Sequence, residues 1–173
     1  MALKFQFMQW NSQLNRAILG TAVAGLLLVG AGTRHAQSEP GPFSALNGSW
    51  SGVGTIKKSN GGSERIRCRS AFEPTGAANL SLRLRCASDS YNFNLLSTVR
   101  YESGSISGSW SETTHNASGS LSGRASGRQI LVSARGGSFA ANLLLVTHDN
   151  RQSVSIRATG TDVTGADIML SRR

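Results

Sequence analysis

The sequence is poor in the residues on which metal and cofactor sites usually depend. Its 173 residues include 2 cysteines, 3 histidines and 9 acidic residues, against 18 lysines and arginines. After residue 36 only His115 and His148 remain, and neither they nor the cysteines have the spacing of zinc ligands. We therefore expect no metal site and no cofactor.

Aromatic and charged residues are also scarce, at 6% and 16% of the chain. The few aromatics are not interleaved with basic residues, so a stacking platform for nucleic acid is not expected. The low charge excludes a highly charged disordered tail, and a hydrophobic content of 39% excludes a multi-span membrane protein. The 3 prolines and 20 glycines have no Gly-X-Y period, which excludes collagen.

Catalytic signatures are missing as well. The chain has no Gly-x-Ser-x-Gly elbow, no His-Glu-x-x-His and no phosphate-binding loop, and its acids are scattered at the ends of predicted strands. His148 and Asp149 could join a distant serine in a hydrolase triad. Their position in a polar segment favours a surface turn instead, so the sequence predicts a protein that is not an enzyme.

The first 36 residues have the pattern of a secretory signal peptide. They contain basic residues and no acid, and Ala17–Ala31 is an uncharged, mostly apolar run of 15 residues. A membrane-spanning helix needs about 20 such residues, whereas a signal-peptide core needs about 7–15. Small residues suited to cleavage follow at Ala36–Ser38. We predict a signal-peptide helix in 1–36 that contacts the membrane only transiently, and export to a bacterial periplasm or beyond; an uncleaved anchor is the alternative.

The rest of the chain is long enough for one domain. Residues 37–173 carry 15 basic and 9 acidic residues, and their number suits a single core. Residues 37–46 contain Pro40 and Pro42 and predict a flexible N-terminal arm. The arm would be followed by a single β-barrel domain in 47–173.

The domain is predicted to be all-β. From Gly48 onward, β-like runs recur every 8–14 residues and are separated by Gly, Asn, Asp and Ser, which gives about ten strands. This spacing favours an antiparallel meander that closes into a single 8–10-stranded barrel, because closure removes exposed edges. A two-sheet β-sandwich is the alternative.

The two cysteines belong to one predicted hairpin. The runs Glu64–Glu73 and Asn79–Ser88 flank a turn, and pairing centred on Ala77 places Cys68 directly opposite Cys86. An exported chain with two facing cysteines is expected to form a disulfide. The same register turns one apolar set toward the core, namely Ile66, Phe72, Leu80, Leu82 and Leu84.

The other face of this hairpin collects arginines. Because like charges opposite each other destabilise a sheet, the pairing of Arg69 with Arg85 suggests a function. Guanidinium groups on a rigid ladder suit phosphate, sulfate or carboxylate groups of an anionic envelope polymer such as lipopolysaccharide. The alternative is a solvent-exposed face on which Glu64, Glu73 and Asp89 reduce the repulsion between the arginines. The candidate patch comprises Arg65, Arg67, Arg69, Arg83 and Arg85.

Two tryptophans mark a possible ligand site inside the barrel. Gly-Ser-Trp occurs at 48–50 and again at 108–110. A two-residue turn at His115-Asn116 would place Trp110 opposite Leu121, among small residues. The ring either fills its own space or borders a hollow, and barrels of about eight or more strands can hold a small ligand. The candidate interior residues are Trp50, Trp110 and Leu121.

The segment Leu46-Asn47-Gly48-Ser49-Trp50 resembles the Gly-x-Trp motif that opens the first strand of lipocalins, members of the calycin group of barrels together with avidins. Arg157 or Arg172 would then supply the late arginine that covers this tryptophan. Thr161-Asp162 is similar to the lipocalin Thr-Asp-Tyr, although Val163 replaces the tyrosine. The start and the disulfide are also similar to small periplasmic barrel inhibitors of proteases.

This resemblance implies a binding module. The sequence therefore predicts an exported, non-catalytic barrel with a small apolar or amphipathic ligand in or at its interior. The alternative is an interaction or inhibitor protein that binds an anionic envelope component or a partner protein through the arginine face. The sequence does not specify the oligomeric state.

Overall fold

Residues 41–173 form a closed antiparallel β-barrel in a computed structural model that describes this part of the chain. Each strand pairs with its neighbours in sequence, and β1 pairs with β10 to close the ring. The predicted all-β meander is confirmed and the sandwich alternative is excluded; the predicted signal peptide in 1–36 lies outside the described residues. The ten strands are β1 (Gly48–Lys58), β2 (Ser63–Thr75), β3 (Asn79–Ala87), β4 (Asn92–Glu102), β5 (Ser105–Glu112), β6 (Ala117–Ser126), β7 (Gln129–Gly136), β8 (Phe139–His148), β9 (Arg151–Thr159) and β10 (Val163–Arg172).

Glycines on the inner side let the strands bend tightly enough to close the barrel. A Cβ atom on Gly52 would lie 1.8 Å from the Met169 carbonyl oxygen of the neighbouring strand. At Gly119 the corresponding distance to the Arg135 carbonyl oxygen is also 1.8 Å. A side chain at either position would collide with backbone, so these glycines act as the kinks at which a sheet curves.

The barrel has a closed end, where β1 begins, and an opposite end that we call the mouth. A short 3-10 helix, η1 (Ser44–Leu46), packs at the closed end. Phe43 and Leu46 are buried there, and the Phe43 ring meets the Tyr101 ring edge-on at 6.3 Å. The predicted flexible arm must therefore be corrected for residues 43–46, because these two apolar side chains anchor the segment. Among residues 41–173, no helix has the length and apolar character to cross a membrane.

The predicted disulfide is confirmed. Cys68 and Cys86 are direct partners in the β2–β3 ladder and are bonded, with their Cα atoms 4.1 Å apart. Arg69 lies opposite Arg85 in the same register. The predicted inward set is correct, since Ile66, Phe72 and Leu80 are buried while Leu82 and Leu84 are partly buried.

The predicted register of β5 and β6 is wrong by two residues. Trp110 pairs with Gly119 rather than with Leu121, and Leu121 pairs with Gly108. The strands are joined by the four-residue loop 113–116 instead of a two-residue turn. The loop is held by the Glu112 carboxylate, which accepts hydrogen bonds from the backbone of Thr114 and His115. A shift of two residues preserves the faces, so Trp110 and Leu121 both still point inward.

Candidate functional site: the barrel interior and the arginine face

The closed end is sealed around Trp50. Its side chain has no exposed surface, and its indole Nε1 donates a hydrogen bond to the Leu46 carbonyl at 2.7 Å. The Arg172 guanidinium lies over the ring at 4.3 Å and donates to the Ala45 and Asn47 carbonyls. Trp50 thus closes the bottom of the barrel, and Arg172 fastens η1 across it.

Gly48 makes this closure possible. Its φ of +112° lies in the left-handed region that side chains rarely adopt. A Cβ at this position would also lie 3.3 Å from the Arg172 Nη1 atom. Glycine therefore lets the chain turn sharply from η1 into β1 beneath the arginine, which is the physical reason for Gly-x-Trp at this point.

The inward side chains are not buried to the same degree on all sides of the barrel. On β1, β2 and β10 they are buried, among them Trp50, Ile66 and Leu170. On β3, β4 and β6–β9, several inward apolar side chains retain accessible surface although they point into the barrel. Solvent therefore reaches these inward side chains, and we call the space that they border the hollow. The half-buried residues include Leu84, Leu95, Leu121, Val132, Leu143 and Val154.

Trp110 lies at the mouth side of this hollow. The residue is 6% exposed, and its ring packs in a small cluster with Ala134 and Ala141 and meets the Phe139 ring edge-on at 5.3 Å. A Cβ on Gly136 would lie 2.9 Å from the ring, so the small residues make room for the indole. Trp110 therefore fills its own space and forms a wall of the hollow. Its buried Nε1 has no acceptor within residues 41–173.

Leu121 packs against the Trp110 cluster and remains half-buried. It is thus the predicted interior residue that offers apolar surface to the hollow, while Trp50 is wholly covered.

Polar groups also point inward near the closed end. Gln152 is fully buried with neither amide atom bonded, and its strand partner Thr147 has an unbonded hydroxyl, both within the described chain. Neither residue belongs to a motif in the sequence.

Glu112 organises one side of the mouth. Its carboxylate is buried and accepts hydrogen bonds from the backbone amides of Asn94, Thr114 and His115 at 2.7–2.9 Å. The His115 ring lies 2.8 Å away through Nδ1. Burial alone would raise the pKa of Glu112, but the three amide hydrogen bonds outweigh it and lower the pKa to about 2. In the sequence, Glu112 is only one of several scattered acids.

Two further contacts join the loops of the mouth. The Tyr91 ring, in the β3–β4 loop, stacks on the His115 ring of the β5–β6 loop at 5.3 Å. The Glu64 carboxylate accepts hydrogen bonds from Lys58 Nζ at 2.9 Å and from the Ser90 backbone amide at 2.8 Å. These two bonds join the start of β2 and the end of β1 to the β3–β4 loop. Hydrogen bonds from Ser90, above all, hold the pKa of Glu64 far below its usual range. The mouth is therefore shaped by loop-to-loop contacts.

The predicted arginine face exists as a continuous outward surface. Arg65, Arg67, Arg69, Arg83 and Arg85 are all exposed on β2 and β3. Three acids were expected to reduce the repulsion between these arginines. Of the three, only Glu73 does so, by pairing with Arg83. Glu64 pairs with Lys58 instead, and no acid of residues 41–173 lies within 4 Å of the other four arginines.

His148 and Asp149 do not belong to either of these surfaces. Their side chains are 2.9 Å apart and exposed in the β8–β9 turn at the closed end. Within residues 41–173, no three His, Cys, Asp or Glu side chains converge as metal ligands would.

No family model matches this chain, and no curated protein matches it. Among solved structures the chain is similar to Rv2717c from M. tuberculosis, with 16% identity and a TM-score of 0.62 over 76% of this chain and 94% of that one. It is also similar to the S-type phycobiliprotein lyase CPES from Guillardia theta. There the identity is 8% and the TM-score 0.56, over 76% of this chain and 90% of that one. This likeness shows the fold alone, a closed antiparallel β-barrel.

Among the residues that carried the sequence resemblance, the barrel brings Gly48, Trp50 and Arg172 together at its closed end. Of the two late arginines, Arg172 covers Trp50, whereas Arg157 is bound to Asp167 on the outer surface. Thr161 and Asp162 lie in the β9–β10 loop at the mouth. The segment Gly48-Ser49-Trp50 therefore marks the sealed end of the barrel.

Proposed function

We propose that this calycin-like barrel is a non-catalytic binding protein that holds a small amphipathic molecule in its interior. The observation that carries the proposal is the accessible apolar surface on inward side chains between the sealed closed end and the mouth. Apolar concavities with few polar groups are typical ligand sites. The likeness to other solved barrels supports the fold alone, so the ligand is inferred from the interior of this chain.

The polar character of the ligand is inferred from Trp110. Its enclosed Nε1–H has no acceptor in the described chain, and buried donors normally have one. A carbonyl, hydroxyl or carboxylate oxygen of a ligand would supply that acceptor. The apolar part of the same molecule would contact Leu121 and Phe139, which pack beside Trp110.

Filling the hollow should weaken binding. We expect Leu121→Trp to weaken binding of the neutral fluorescent probe Nile red by about tenfold or more, since overfilling an apolar cavity leaves no volume for a ligand. The matched control is Leu131→Trp, because Leu131 is an outward leucine that is 53% exposed on β7. Fluorescence titration would give both dissociation constants.

The milder substitution Leu143→Phe provides a second test if Leu121→Trp does not fold. Equal Nile red affinity for wild type and for both interior variants would contradict the proposal. Native mass spectrometry of the protein purified from its natural cells would then identify any molecule that remains bound.

We also propose that the protein acts outside the cytoplasm. The Cys68–Cys86 disulfide supports this, since such bonds persist mainly in oxidising compartments. N-terminal sequencing of the protein from its natural cells should find a start close to residues 37–38. A mature protein that still begins with Met1 would contradict cleavage.

A further inference from the structure

We propose that the outer surface of β1–β4 is a docking surface for an anionic phospholipid membrane. The four arginines without an acidic partner, Arg65, Arg67, Arg69 and Arg85, form its basic part. This surface is separate from the barrel interior, so the proposal does not depend on the ligand proposed above.

The register concentrates this charge in a small area. Arg65, Arg67 and Arg69 occupy successive outward positions of β2, and Arg69 lies directly opposite Arg85 on β3. Adjacent strands are about 4.8 Å apart, so the Arg69 and Arg85 side chains begin as close neighbours. Like charges held together and left unneutralised are costly, and a surface of phosphate groups would remove that cost.

Exposed apolar side chains stand next to the arginines. Val53 of β1 is paired with Arg67 and is 40% exposed, and Leu96 of β4 is paired with Arg83 and is 48% exposed. Met169, the partner of Val53 on β10, is 56% exposed. A soluble polyanion offers nothing to these side chains. A phospholipid surface offers both phosphate for the guanidinium groups and an apolar layer beneath it.

The arginines also lie toward the mouth of the barrel. Arg65 and Arg67 are in the first half of β2, which begins at the mouth, and Arg85 is near the mouth end of β3. A membrane held against this wall would therefore lie beside the mouth rather than beside the sealed end. Docking would bring the opening close to a source or destination of amphipathic molecules.

Removing three of the arginines should release the protein from anionic vesicles. For Arg67→Gln/Arg69→Gln/Arg85→Gln we expect a loss of about 100-fold in the partition coefficient onto phosphatidylglycerol–phosphatidylcholine vesicles. The estimate follows because each basic residue at an anionic surface contributes about 1 kcal/mol and 1.4 kcal/mol is tenfold. Cosedimentation at several salt concentrations measures this loss, which should shrink as salt is added.

The matched control is Arg124→Gln/Arg135→Gln/Arg151→Gln, which removes the same charge from exposed positions on β6, β7 and β9. All variants are made in the full chain, so that the apolar run Ala17–Ala31 contributes equally to every measurement. We expect the partition coefficient of the control to fall by less than about tenfold, against about 100-fold for the first variant. An equal loss in both would overturn the proposal, because net charge rather than this surface would then be responsible.

The apolar residues distinguish a membrane from a soluble polyanion. Val53→Ser/Leu96→Ser should weaken binding to the anionic vesicles several-fold and leave binding to soluble polyphosphate unchanged. Polyphosphate binding as tight as vesicle binding, or no effect of the serine substitutions on vesicles, would contradict a membrane as the partner. Nile red binding should be unchanged in all these variants, so a failure here is distinguishable from a failure of the ligand-binding proposal.

Discussion

Replacing Trp50 with alanine should lower the free energy of unfolding by about 3–5 kcal/mol, the range typical for removing a large buried aromatic side chain. The side chain has no exposed surface, and its Nε1 atom bonds the Leu46 carbonyl. The substitution also leaves Arg172 without the ring beneath it. For a domain of this size the midpoint of thermal unfolding should fall by about 10–20 °C. Urea and thermal unfolding followed by circular dichroism would measure both.

Trp50→Phe is the control for the closure of the barrel. It keeps an aromatic ring under Arg172 and removes the hydrogen bond to Leu46, so we expect a loss of only about 1–2 kcal/mol. If alanine were no more harmful than phenylalanine, the ring would not hold the closed end, and η1 would be held by Arg172 and by the buried Phe43 and Leu46 side chains.

The sequence was sufficient for the local part of this fold. Strand runs and turn residues predicted about ten strands in a meander, and pairing centred on Ala77 predicted the Cys68–Cys86 bond and the Arg69–Arg85 pair. These features follow from the period-2 alternation of side chains and from short turns, both of which act over a few residues. The closed end was partly predictable too, because Gly48 and Trp50 form the Gly-x-Trp motif. Arg172 was one of two candidates for the arginine that covers the tryptophan.

The mouth could not be predicted because its contacts join residues that are distant in the chain. The Glu112 carboxylate bonds the Asn94 amide of β4, and Glu64 bonds Ser90 across 26 residues. The wrong register of β5 and β6 has a different origin, because the Glu112 bonds that hold the loop reach only two and three residues along the chain. A two-residue turn was the simplest interpretation of His115-Asn116, and a carboxylate at residue 112 was not recognised as an acceptor for the backbone of a four-residue loop.

The hollow could not be predicted from the sequence either. Whether inward residues such as Leu121 and Leu143 fill a barrel depends on strand number and stagger, which fix its width. The alternation pattern is the same for a filled and for a hollow barrel. Gly52 and Gly119 are evident in the sequence, but their role as kinks depends on their distance to the neighbouring strand.

Stability should depend on pH through Glu112. Its pKa is lowered to about 2 in the folded protein from 4.5, so the folded state favours the ionised carboxylate. The stabilisation is therefore fully present above about pH 5 and is lost progressively as the pH falls toward 2. The shift corresponds to about 3 kcal/mol. We expect the free energy of unfolding of the wild type to fall by about that much more than that of Glu112→Gln between pH 6 and pH 2, measured by urea unfolding at a series of pH values.

Glu102→Gln is the matched control, since it removes the same charge from an exposed position at the end of β4. It should retain the pH dependence of the wild type. At pH 7, Glu112→Gln should also loosen the loop 113–116, because a neutral amide replaces a carboxylate that accepts three backbone hydrogen bonds. Hydrogen exchange at the Thr114 and His115 amides should then increase strongly. Unchanged exchange there, together with an unchanged pH profile, would mean that the loop is held by the stacking of His115 on Tyr91 and that the carboxylate has no part in shaping the mouth.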